Sequence, residues 1–200
     1  MSKSFRMNNT AVAKRDLVLK HEEKFAGALA TAVLDKPTIN IWMILIPIIF
    51  VYYIYQYQKF VDGRKTFVET YMLMKKLALD EALAAVKYAK EPDIDGLVKM
   101  SGHTGQILVE YSVLLGVLIE HYKDLLRSEG ETFESLVKST YKNRTNYLLF
   151  ANQLNQVEKR FNTALKPHLY ETTEEVDNIV TTIEHYSEKL RRAEAEKIFP

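Results

Sequence analysis

Five histidines, His21, His103, His121, His168 and His185, are the side chains of this 200-residue sequence best suited to ligate a metal or move a proton. Their spacing speaks against both uses. A di-iron site in a helical bundle needs carboxylates and a Glu-x-x-His pair on one helix face, and no histidine here has an acid three positions before it. No His-x-x-x-His pair occurs either. The chain has no cysteine, which removes disulfides, thiol catalysis and the usual thiolates of structural zinc. A bis-histidine haem joining His121 and His185 across two helices is the one ligation pattern left open. The plainer reading is two polar residues beside a helix seam, so no cofactor and no metal are expected.

Ser101-Gly102-His103-Thr104-Gly105 is the one segment with paired glycines, and it lacks the lysine and the preceding strand of a phosphate-cradling loop. It reads better as the cap of a following helix. No Gly-x-Ser-x-Gly elbow is present, and no enzyme is expected. One local echo remains: Ile119-Glu120-His121-Tyr122 and Ile183-Glu184-His185-Tyr186, each followed five residues later by an arginine, Arg127 and Arg191. A duplicated helical hairpin would produce it. Shared composition and heptad pattern explain it more simply, because the match does not extend in either direction.

Hydropathy sets the elements that must position these groups. Ile39 to Tyr57 reads INIWMILIPIIFVYYIYQY, and no charge occurs from Pro37 to Gln58. A helix needs roughly 20 such residues to cross a hydrocarbon core of about 30 Å. Trp42 near one end and Tyr52, Tyr53, Tyr55 and Tyr57 near the other suit the headgroup layer, with Ile44 and Phe50 in the apolar centre. Pro47 sits near the middle, where it kinks a helix or turns a re-entrant hairpin. A single kinked span is the preferred reading. Lys36, Lys59, Arg64 and Lys65 flank the run and are assigned to lipid headgroups. Residues 1–38 carry seven Lys/Arg against four acids and residues 56–91 seven against five, so the cations nearly tie and leave orientation open.

Beyond residue 59 the periodicity is helical throughout. Helices are expected over Lys59–Lys90, Thr104–Arg127, Thr132–Leu165 and Thr172–Lys197, separated by Pro92, Gly130 and Pro167. Apolar residues alternate at three and four positions, which keeps one seam against a partner. Leu115 and Leu118 mark it in the second helix; Tyr147, Phe150, Leu154, Val157 and Phe161 in the third; Ile179, Ile183, Tyr186 and Leu190 in the fourth. Thr140 and Asn143 interrupt the third seam. Ile107–Ile119 is apolar on several faces and reads as the central helix, or as a second membrane-dipping segment. Ahead of the run, residues 11–34 look helical, with Leu17, Phe25, Leu29 and Ala32 on one side. That helix either lies on an anionic membrane surface or packs back on the bundle.

The fold class is thus all-α: a single membrane-spanning (or re-entrant) helix followed by an elongated antiparallel four-helix, coiled-coil-like bundle. Three segments are expected: 1–38, a basic amphipathic helix; 39–57, the single-pass membrane anchor; and 59–200, the bundle domain. The expected role is structural, a scaffold, adaptor or accessory subunit holding partners at a bilayer, in a bacterial inner membrane with sidedness open. Twelve tyrosines favour protein contact. The partners are the lipid bilayer and other membrane-complex proteins or a second copy. Nucleic acid is excluded because net charge is only +1 and the distal part is acidic. Two alternatives stand: a membrane-tethered sensor or small-ligand-binding bundle, which would usually need a second span to return its signal, and a membrane-remodelling protein.

Overall fold

The computed structural model describes residues 2–34, 63–168 and 174–200. Among the described residues there are seven α-helices and no strand: α1 (Ser2–Leu34), α2 (Gly63–Tyr88), α3 (Ile94–Met100), α4 (Gly105–Arg127), α5 (Phe133–Tyr141), α6 (Arg144–Leu165) and α7 (Glu174–Ile198), with a 3-10 turn at Lys166–His168. None of these helices is long and apolar enough to cross a membrane. The apolar run lies outside the described residues, and with it Trp42, Ile44, Pro47, Phe50, Tyr52, Tyr53, Tyr55, Tyr57, Lys36 and Lys59. Arg64 lies in the first turn of α2. Lys65 is exposed and stands 3.9 Å from Glu69.

Local chemistry sets the helix ends. Asp93 caps α3 by accepting from the Gly96 N–H at 2.9 Å. Thr132 and Ser135 form a reciprocal capping box at the start of α5. The continuous third helix expected over Thr132–Leu165 is two helices, α5 and α6. Lys142 adopts φ +67°, which ends α5, and the Asn143 side chain accepts from the Asn146 N–H at 2.9 Å to start α6. Asn143 is therefore a cap rather than a seam residue, and the Thr140 hydroxyl points at the Asp124 carbonyl.

Among the described residues five long helices, not four, close the bundle. α1 packs on α2, α2 on α4, α4 on α6, α6 on α7 and α7 on α1, and α1 also touches α4 across the centre. The first helix is thus a wall of the core. Its buried line is Ala11, Val18, Glu22, Ala26, Leu29, Ala30 and Val33, about one position round from the expected face. Leu17 and Phe25 sit half-buried at its edge. α4 is the central helix, with Leu114, Leu115, Leu118, Ile119, Tyr122 and Leu125 all within 1% of full burial.

Cross-helix pairs give the directions. Along α1 and α2, Arg15 meets Asp80 while Phe25 lies by Tyr71, so the two are antiparallel. Glu110 with Arg160 and His121 with Phe150 make α4 and α6 antiparallel. Asn162 with Glu184 and Tyr147 with Glu194 do the same for α6 and α7. α1 opposes α4, because Glu22 meets Tyr122 while Lys14 reaches the carbonyls of Leu126 and Ser128. α2 and α4 therefore run the same way, a departure from an up-and-down bundle. The connection between them returns along its length through α3, whose Ile94 packs over Gly116.

The expected seam is partly in place. Leu115, Leu118, Tyr147, Leu154, Val157 and Phe161 are buried, while Phe150, Ile179, Ile183, Tyr186 and Leu190 are half-buried against the core. On α7 the buried line is Val180, Ser187, Arg191, Ala195 and Ile198, and Ala193 is exposed. The shift has a physical cause: the helix turns inward the side that carries Arg191, which has a carboxylate to meet there.

Candidate functional site

That meeting belongs to a charged layer buried across the middle of the bundle. On α1, Glu22 accepts from Lys75 Nζ of α2 at 2.6 Å and from the Tyr122 hydroxyl of α4 at 2.8 Å. On α7, Arg191 holds Glu158 of α6 with both terminal nitrogens, at 2.6 and 2.7 Å, and also donates to Asn155. The Phe25 ring is near both cations, with Lys75 Nζ 5.3 Å and the Arg191 guanidinium carbon 5.4 Å from its centroid. Lys75 is also 5.0 Å from the Tyr71 ring. Such cation–π placements favour a charge that has left water. Glu22, Lys75 and Arg191 are each exposed by less than a tenth.

The titration of these groups follows from burial set against partners. Burial alone would raise the Glu22 carboxyl, but the Lys75 charge, His21 and the hydrogen bonds from Lys75 and Tyr122 outweigh it and bring it down to about 2. Burial would lower Lys75, and the Glu22 carboxylate overturns that, so the ammonium is held above its ordinary value. Arg191 is likewise raised, Glu158 outweighing burial. Tyr122 is pushed well up by burial and by the Glu22 charge. The Glu22–Lys75 pair therefore stays charged at neutral pH.

A second polar cluster adjoins the layer. His21 Nε2 is 2.8 Å from Glu194 Oε1, and the Tyr147 hydroxyl donates to Glu194 Oε2 at 2.7 Å. The His21 ring stacks on Phe133 with centroids 3.5 Å apart. A groove of about 420 Å³ opens here between α1, α5 and α7, with Lys20, Lys24 and Lys197 on its walls. On the other side, His121 is buried, stacked on Phe150 at 4.0 Å and bonded through Nδ1 to the Tyr141 hydroxyl at 2.6 Å. Burial lowers His121 to about 3, so it is neutral.

The sequence-derived candidates are not brought together. His121 is buried and bonded to Tyr141 whereas His185 is exposed on α7, so they do not face each other and no haem pair forms. The two echoed segments are also inequivalent: Tyr122 is fully buried and Arg127 exposed, while Tyr186 is half-buried and Arg191 buried. Ser101 caps α3 and receives the His103 N–H, which makes the glycine-paired segment a connection between helices. No group of three or more metal-ligating side chains occurs among the described residues. The members that sequence reasoning missed are Glu22, Lys75, Glu158 and Arg191. The signal was available: Glu22 falls on an i, i+4 line between Val18 and Ala26, and Arg191 between Ser187 and Ala195. A charge on such a line is buried with the line. The arrangement supplies matched charges rather than a reactive group, since Glu22 and Glu158 are each held by a cation. Comparisons with protein-family models, with curated proteins and with solved structures found no match.

Proposed function

We propose that this chain is a membrane-anchored structural protein, a scaffold, adaptor or accessory subunit of a membrane complex, that presents a rigid helical bundle to protein partners at a bilayer. The observation that carries the reading is the 19-residue run from Ile39 to Tyr57, without charge and edged by aromatic residues, in a chain that is otherwise amphipathic. Water would not tolerate it exposed, and a lipid phase accepts it. The buried charged layer supports the second half of the reading. Opposed charges inside a bundle reject helix pairings that leave one of them alone, which fixes register. A fixed shape is what a scaffold needs.

The test is to wash membranes with high salt and then alkali, extract them in mild detergent, and purify the chain through a C-terminal tag. Retention through the washes with stoichiometric companions supports the proposal. Release by salt, or purification with no companion and no self-association, overturns it.

A further inference from the structure

We infer that α1 and the rest of the bundle stand on the same side of the bilayer. The inference rests on the membrane reading above and deepens it.

Arg15 meets Asp80 at 2.7 Å, Glu22 meets Lys75 at 2.6 Å and Glu23 meets Lys76 at 3.6 Å. Continued along two antiparallel helices, that register brings the end of α1 at Leu34 beside the start of α2 at Gly63. The two ends of the connection 35–62 thus emerge together at one end of the bundle. Nor is α1 a loose arm. Val18, Ala26, Leu29 and Ala30 are fully buried, and Tyr122 of α4 and Glu194 of α7 both bond to it. A single crossing would put about 30 Å of hydrocarbon between α1 and α2, and none of these contacts could form.

Length and charge agree. Crossing twice takes roughly 40 apolar residues as helix, and the run has 19. The near tie in cations flanking the run, unhelpful for a spanning orientation, suits an anchor whose two flanks face the same leaflet.

Because the chain has no cysteine, one can be placed at will. Val12 on α1 and Leu149 on α6 are exposed, at 41% and 64%. Val12→Cys and Leu149→Cys would be treated with a membrane-impermeant maleimide in sealed right-side-out and inverted vesicles from the expressing cell. The expected result is that both label in the same vesicle type and neither in the other. Labelling in opposite vesicle types, with the protein in the salt-washed pellet, would overturn the inference and leave the membrane reading standing. Absence from the pellet would overturn the membrane reading and the inference with it.

Discussion

Replacing Lys75 by methionine would leave the Glu22 carboxylate buried, with Tyr122 as its remaining hydrogen-bond donor in the layer. Removing one partner of a buried ion pair costs about 3–5 kcal/mol. Linkage gives a second measure. The Glu22 carboxyl is held at about 2 against an ordinary 4.5, and at about 1.4 kcal/mol per unit that is about 3 kcal/mol at neutral pH. Since the folded value is depressed, this stability is present above pH 4.5 and is lost as pH falls towards 2. In Lys75→Met the sign reverses. Burial is then opposed mainly by His21 and Tyr122, so the carboxyl rises, and the contribution of Glu22 becomes less favourable as pH climbs. Thermal unfolding in a non-ionic detergent, followed by far-UV circular dichroism, reads this directly. At about 2–4 °C per kcal/mol for a chain of this size, the expected fall in Tm at pH 7.5 is about 10 °C, narrowing at pH 5. The double variant Glu22→Gln/Lys75→Met should recover most of the loss. A fall under about 2 °C, or one of equal size at pH 5 and pH 8, would refute the reasoning.

Three further outcomes are expected. Leu154→Asp puts a carboxylate without a cation at a position 4% exposed on α6; it should abolish cooperative melting, and an unchanged Tm would count against the bundle. His121 is held near 3 against 6.5 by burial, so the folded state binds fewer protons there and loses stability as pH falls below 6.5. His121→Phe should therefore flatten the fall in Tm between pH 6.5 and 4.5, while costing about 1 kcal/mol at pH 7.5 through the Tyr141 hydroxyl it abandons. Lys142→Gly, at φ +67°, should relieve backbone strain and raise Tm by about 2–4 °C.

The all-helical class and most of the seam were legible because apolar periodicity records burial. Leu115, Leu118, Leu154 and Val157 lie where that pattern puts them. The break at Lys142 falls where Thr140 and Asn143 interrupt the apolar seam; counting them as seam positions of one helix concealed it, although Asn143, a good cap, marked it. The place of α1 and the register of α7 were hidden for one reason. Their buried lines pass through Glu22, Ser187 and Arg191, and a reading that sends charge to the surface rotates each helix away from its true face. The layer itself joins residues on five helices, a long-range pairing that spacing within one helix does not encode.

The most direct test of the account is whether α1 and α2 remain paired in the membrane-bound chain. Glu23 and Lys76 face each other at 3.6 Å on the bundle surface, so Glu23→Cys/Lys76→Cys can be bridged by a short bis-maleimide in salt-washed membranes and the linked peptide identified by mass spectrometry. An intramolecular link is expected in the membrane fraction at the yield found in detergent. Single labelling of both cysteines with no linked peptide would contradict it.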